Sequence, residues 1–278
     1  MFRSFSLLMI ISFLAMPSLA SGALTDGLIS VWNFDDETAS DVLGRNDGIL
    51  RGGATFSDGQ SGKAVDLNGV DAFVEVPHSD SMNGLENAFS VTAWAFFREH
   101  GNFVGIVWKG RQVGWAAGFT FEIVSLANRN PELMGWGACT ADTEGWYHSL
   151  HPHLQTWFHV AQIADGKELR SYFNGELVEV PHAGETWLGA AGVGKVPQPL
   201  SAPYALFPDQ PIRMGMSQGL NNNLDTKTYL DGFVDEVMLW DRALSEGEVN
   251  QVMRGELVAV EPKSKLAVTW GALKAHHR

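Results

Sequence analysis

Two strand-like runs at opposite ends of the chain constrain its fold more than anything else in the sequence. The first is Gly27-Leu28-Ile29-Ser30-Val31-Trp32-Asn33-Phe34-Asp35-Asp36, and the second is Leu230-Asp231-Gly232-Phe233-Val234-Asp235-Glu236-Val237-Met238-Leu239-Trp240. In both, apolar and polar residues roughly alternate, the period of a strand with one buried face. Acidic residues end the first run and interrupt the second. The pair predicts an antiparallel β-sandwich whose chain ends lie side by side, with carboxylates converging where they meet.

The intervening chain keeps this rhythm. Segments 64–67, 72–76, 89–97, 104–109, 119–123, 156–163, 168–173, 177–180 and 212–216 read as strands. Asn68-Gly69, Asp165-Gly166 and Asn174-Gly175 supply tight turns between them. Turns at such short intervals are the spacing of a sandwich or jelly roll. The 30 glycines suit those turns, and the 10 tryptophans suit strand positions. One short C-terminal helix is expected: Ser245 opens it, Glu248 completes a capping box, and Val249, Val252 and Met253 share one side. Residues 127–155 and 183–209 break the strand pattern and are expected as long loops, the kind of segment that carries function.

A net charge of −13 provides no footprint for nucleic acid and disfavours anionic lipid. Arg3, the apolar run 5–16, Pro17 and the small residues around Ala20 predict a secretory signal over 1–20, a domain over 21–258 and an extension over 259–278. That apolar run is too short for a stable membrane span, so an exported protein, secreted or at the cell surface, is expected. The one cysteine, Cys139, permits no intrachain disulfide, which leaves stability to the core and to any bound metal.

Four blocks carry a family likeness. The first is Leu28 to Asp35 with Asn46-Asp47-Gly48, and the second is Gly62-Lys63-Ala64-Val65-Asp66-Leu67-Asn68-Gly69 with Phe73-Val74-Glu75-Val76-Pro77. The third is Phe89-Ser90-Val91-Thr92-Ala93-Trp94. The fourth joins Trp157-Phe158-His159-Val160-Ala161 and Tyr172-Phe173-Asn174-Gly175 to Leu230 through Ser245. In this order they resemble the LamG-like jelly-roll domains of the concanavalin A-like lectin/glucanase superfamily. The resemblance implies an all-β, two-sheet antiparallel jelly-roll sandwich. It also implies a binding or adhesion module, often for glycans and often with one calcium ion, although some superfamily members are glycoside hydrolases.

Calcium needs six to eight hard oxygen ligands. Asp35, Asn46 and Asp47 offer oxygens from the first strand end and its turn, and Asp235 offers one from the late strand expected beside it. The same residues also serve as turn caps or a solvated face in many proteins. For a sugar, aromatic platforms in a polar setting are needed. Trp108, Trp115, Trp136, Trp146 and Tyr147 are candidates because they lie in or beside 127–155, whereas Trp32, Trp94, Trp157 and Trp240 are expected to fill the core. His148, His151 and His153 lack a helical zinc scaffold, and His159 is expected to pack. The glucanases of the superfamily carry Glu-x-Asp-x-x-Glu on one strand; here 119–123 holds only Glu122, so no catalytic residue is assigned. The expectation is a secreted, non-catalytic module for carbohydrate or another extracellular ligand such as a protein, with structural Ca²⁺. The alternatives are a glycoside hydrolase or polysaccharide lyase, or a purely structural surface component.

Overall fold

The computed structural model describes residues 23–99, 104–110, 119–124, 132–140, 143–148, 154–177, 198–199, 202–204, 207–208, 210–218 and 227–257, with the backbone alone for 119–124, 132–140, 143–148, 198–199, 218 and 227. In chain order the strands begin with β1 (Leu28–Trp32), β2 (Ile49–Arg51), β3 (Thr55–Asp58), β4 (Lys63–Asn68) and β5 (Phe73–Val76). A 3-10 segment, Asp80–Glu86, precedes β6 (Phe89–Phe97), β7 (Val104–Lys109), β8 (Phe119–Val124), β9 (Glu132–Thr140) and β10 (Thr143–His148). Then come β11 (Phe158–Ala164), β12 (Glu168–Phe173), β13 (Glu176–Leu177), β14 (Gln198–Pro199), β15 (Ile212–Met214), β16 (Met216–Gln218), β17 (Lys227–Tyr229) and β18 (Asp231–Trp240). Helix α1 (Glu246–Met253) follows them.

Two antiparallel sheets form the jelly roll. The nine-stranded sheet runs β13-β12-β11-β6-β18-β4-β3, with β1 paired to β18 and β14 to β12; the seven-stranded sheet runs β10-β9-β8-β7-β15-β5-β2. The two end runs do meet: Leu28 lies opposite Trp240, and Trp32 opposite Val237. One expectation is corrected. Residues 127–155 are not a plain loop, because β9 and β10 lie within them and extend the seven-stranded sheet. Gly135, Gly137 and Gly145 interrupt the apolar alternation there, so the period-two signal is lost although the backbone still pairs.

Alternation decides what each sheet buries. Phe89, Val91, Ala93, Ala95 and Phe97 of β6 point inward with Val65, Leu67, Val74, Val76, Val107, Ile212 and Met214, and these form the main core between the sheets. A second apolar layer lies on the other face of the nine-stranded sheet. There Val249 and Val252 of α1, with Leu244, cover Ile163, Tyr172, Met238 and Trp240. Helix α1 thus closes part of that outer face, and the seven-stranded sheet turns a different face outward.

The helix begins as the sequence predicts. Ser245 Oγ accepts the Glu248 N–H and the Glu248 carboxylate accepts the Ser245 N–H at 2.8 Å, a reciprocal capping box. Arg242 pairs with the same carboxylate at 2.7 Å. Truncation in Ser245→Ala is expected to cost about 1 kcal/mol, read as a lower urea midpoint at unchanged slope.

Candidate functional site

Strand alternation in β7 and β15 sets up the seven-stranded sheet's outer face. Val104 and Val107 of β7 and Ile212 and Met214 of β15 enter the core. Trp108 and Arg213, opposite each other in register, therefore lie on the other face. Register carries this row across the sheet in both directions. Arg213 faces Glu75, which faces Ile49; Trp108 faces Thr120, Thr120 faces Trp136, and Trp136 faces Trp146. Three of the predicted tryptophans thus occupy one cross-strand row. A second row on the same face runs Gly105, Glu122, Met134 and His148. Tyr147 does not share it: it lies opposite Gly135 in the row of Phe121 and Val107, on the core side. Trp115, His151 and His153 lie outside the described residues.

The described part of the row is buried. Trp108 is 2% exposed and Arg213 8% exposed. The Trp108 Nε1 and Arg213 Nη1 atoms are buried without a hydrogen-bond partner among the described residues. Arg213 Nη2 donates to Gln210 Oε1 at 3.3 Å. Burial pulls the Arg213 pKa down, against the opposing charge of Glu75; Glu75 itself pairs with Arg51 at 2.8 Å. The adjacent Lys109 is wholly buried and donates to the Gln210 carbonyl at 2.8 Å. Its pKa falls to about 8, by burial first and then by the charge of Arg213. Sequence reading missed Arg213 and Glu75 as members of this row. The signal was present, since each is a charged residue between two core residues of a strand, and such residues mark the opposite face.

A second constellation arises where β18 changes partners. Its first half pairs with β4 through Asp231 to Val234, and its second half pairs with β1 from Val237 to Trp240. Between them a register shift against β6 leaves Asp235 and Glu236 at a junction, with Glu236 at φ 48°. Asp35 follows the end of β1, and Lys63 begins β4, so both reach the same junction. Asp235 is fully buried and accepts the Ser61 N–H at 3.0 Å and the Glu236 N–H at 2.7 Å. Asp35 accepts the Lys63 N–H at 2.9 Å. The turn from Gly59 to Lys63 sits tight against both carboxylates. A Cβ on Gly59 would lie 2.6 Å from Asp235 Oδ2, and one on Gly62, at φ +69°, would lie 1.8 Å from Asp35 Oδ1. Burial drives the Asp235 pKa up to about 8; the Ser61 N–H opposes this, and the charges of Glu236 and Asp35 add to it.

The other two predicted metal ligands are engaged elsewhere. The Asn46 amide donates to Ser30 Oγ at 2.7 Å and Ser81 Oγ at 2.9 Å, and its oxygen accepts from Ser79 and Ser81. Asp47 accepts the Asp41 N–H at 2.9 Å. Asp41 in turn caps Val31, Leu43, Arg45 and Asn46 through their N–H groups. Among the described residues no three histidine, cysteine or acidic side chains converge as a metal cluster.

The tryptophans expected in the core divide. Trp32 and Trp240 are buried, at 1% and 0% exposed. Trp94 and Trp157 are instead half-buried on the outer face of the nine-stranded sheet. Trp157 packs with Phe96 and Phe233, and Trp94 meets His159 edge-on at 5.3 Å. His159 packs as expected: it is 1% exposed, and burial lowers its pKa to about 3.

The geometry defines a two-sheet jelly roll with a row of tryptophan positions on one sheet. A Laminin G family model, described as concanavalin A-like lectin/glucanases superfamily, matches residues 68–196, so that segment is similar to domains of this kind. No curated protein matches the chain. Among solved structures, it is similar to domain 4 of AbnA, a GH43 extracellular arabinanase from Geobacillus stearothermophilus, in complex with arabinotriose. The identity is 19%, over 81% of this chain and 98% of that one, with a TM-score of 0.55. It is also similar to the binding domain of Paraclostridial Mosquitocidal Protein 1, at 15% identity, over 84% of this chain and 53% of that one, TM-score 0.60. A third likeness is to the binding domain of Botulinum Neurotoxin DC in complex with SialylT, at 13% identity, over 84% and 52%, TM-score 0.58. The chain spans about half the length of these two toxin domains. Among the described residues no helix is long and apolar enough to cross a membrane.

Proposed function

We propose that this protein is an exported, non-catalytic glycan-binding module that receives sugar on the outer face of the seven-stranded sheet. The observation that carries this reading is the register that puts Trp136 and Trp146 opposite each other in one cross-strand row, beyond the buried Trp108. Aromatic faces stack on sugar rings while neighbouring polar groups fix orientation, and Glu122, His148 and Arg213 occupy the same face by register. The structural likeness to a domain solved with arabinotriose is consistent with it. The test is a glycan array followed by calorimetric titration of the bound oligosaccharides. Saturable binding without release of reducing ends supports the reading, and absence of binding to any glycan overturns it.

A calcium ion at the Asp35–Asp235 junction completes the proposal. The donors fit a hard cation, because two carboxylates meet against a glycine turn and one of them is wholly buried. Backbone carbonyl oxygens and water would supply the remaining ligands. In this reading Asn46 and Asp47 shape the neighbouring turn around Asp41. Bound there, the ion would neutralise the buried charge and tie β1, β4 and β18 together.

One observation favours a second reading, glycoside hydrolysis. Glu122 lies opposite Met134, so Glu132, two residues along β9, occupies a diagonal position on the same face. Diagonal neighbours lie within reach of each other's long side chains, and glycoside hydrolysis needs two carboxyl groups flanking one bond. Reducing-end release that is lost in Glu122→Gln would establish this reading in place of the first.

A further inference from the structure

Helix α1 covers only part of the nine-stranded sheet's outer face, and the chain leaves the helix heading for the part left open. Just before the helix, the Leu244 N–H donates to Ser90 Oγ at 2.9 Å, at the first outward position of β6. Near its end, Asn250 donates to the Gly175 carbonyl at 3.0 Å. The neighbouring Asn174 accepts the His159 N–H at 2.9 Å, and His159 lies opposite Trp94. The helix thus runs along β6 from the Ser90 row to the Trp94 row. Gly255, at φ +71°, turns the chain after it, and Leu257 still packs on the same outer layer.

The next outward row is aromatic. Phe96 lies opposite Phe233, and Trp157 packs against both, with ring centroids 5.6 and 6.0 Å away. Trp94, Phe96, Trp157 and Phe233 are all half-buried, and none belongs to the main core or to the layer beneath α1. A contiguous apolar patch with a polar rim marks a docking surface. Arg98 lies 4.2 Å from the Phe233 ring centroid and pairs with both Asp66 and Asp231, so at this rim two acids face one cation. The occupant that fits is apolar on one side and basic.

The chain itself holds such a segment. Beyond Leu257, which ends the described residues, Leu266, Val268 and Trp270 stand at alternate positions, the period of an extended chain with one apolar face. Around them are Lys263, Lys265, Lys274 and Arg278 against a single acid, Glu261, in a chain whose net charge is −13. Trp270 comes 13 residues after Leu257, a reach of about 40 Å when extended. The aromatic row lies one outward position farther along the strands and three strands across, about 7 and 14 Å. We propose that residues 263–270 of the same chain dock on this patch, with Trp270 against Phe96, Trp157 and Phe233 and the lysines toward Asp66 and Asp231. The C-terminal extension then finishes the cover that α1 begins. This does not depend on the glycan reading, which concerns the other sheet.

The test introduces Trp270→p-benzoylphenylalanine into the full-length chain and maps the photo-crosslinks by mass spectrometry. The expected crosslinks stay within one chain and join the segments holding Phe96, Trp157 or Phe233. Their yield should not change on dilution, because a tethered segment meets its site at a fixed effective concentration. Crosslinks to the seven-stranded sheet, or none to the patch, overturn the inference. Chain-to-chain crosslinks whose yield falls on dilution also overturn it, since a second copy is then the occupant. Melting supplies an independent readout. Trp270→Ser should lower the melting temperature by about 2–4 °C, the scale of one lost contact in a domain of this size, and Trp270→Phe should restore most of it. An unchanged melting temperature in Trp270→Ser overturns the inference, because a docked aromatic side chain must stabilise the fold it covers.

Discussion

In EDTA the protein is expected to lose stability as the pH rises from about 6.5 to about 8, the reverse of the usual behaviour of a paired carboxylate. The sign follows from Asp235. Its pKa is raised from 3.8 to about 8 in the folded chain, chiefly by burial. Between those values the unfolded chain has released the proton and the folded chain keeps it. The unfolded state then binds fewer protons, so unfolding becomes easier as pH rises. Buried His159, whose pKa falls from 6.5 to about 3, acts with the opposite sign between those values and offsets Asp235 up to about pH 6.5, so the net loss falls between about 6.5 and 8. That remaining interval corresponds to on the order of 2 kcal/mol. Calcium should remove most of that loss, since an ion that binds only the folded state at a thousand times its Kd contributes about 4 kcal/mol. Asp235→Asn, neutral at every pH, should melt at nearly the same temperature at pH 6.5 and pH 8 in EDTA and should not respond to calcium. Thermal melting with EDTA and with calcium reads all of this. A flat profile for the natural chain in EDTA, or a calcium response that survives in Asp235→Asn, contradicts the account of the junction.

The second large effect concerns binding. Trp136→Ala and Trp146→Ala should each weaken a bound oligosaccharide by about 10- to 100-fold, the scale of a truncated aromatic anchor. Tyr147→Ala should behave differently. Its position belongs to the core-side row, so the expected result is a lower melting temperature with the affinity of the folded fraction kept. Titration calorimetry beside differential scanning calorimetry separates the two patterns. Loss of affinity in Tyr147→Ala with none in the tryptophan variants would reverse the assignment of faces.

How much of this was legible beforehand depended on what each signal measures. Period-two alternation reports one buried face, so β1, β6, β11 and β18 could be read directly, as could the pairing of the two chain ends. Ser245 and Glu248 are local chemistry and were equally clear. Strands β9 and β10 were hidden because glycine contributes no side chain to the pattern, while backbone pairing needs none. The site was legible only in part. Tryptophans 108, 136 and 146 could be named as candidates, but their common row depends on register through three strand pairs, which residue types do not encode. Trp94 and Trp157 look like core residues in sequence, yet they fall at outward positions of β6 and just before β11. The acidic candidates show the same limit. Asp35 and Asp235 meet because β18 exchanges β4 for β1 between Val234 and Val237, whereas Asn46 and Asp47 are drawn to Asp41 and the serines around it. The Gly59 and Gly62 contacts show what this turn requires: a Cβ at either position would collide with a carboxylate oxygen of the junction.

The most direct measurement is amide hydrogen exchange with and without a bound oligosaccharide. Slower exchange confined to β7, β8, β9, β10 and β15 is the predicted result. Protection that falls instead on β6, β11 and β18, around Phe96, Trp157 and Phe233, would place the ligand on the other sheet and contradict the assignment.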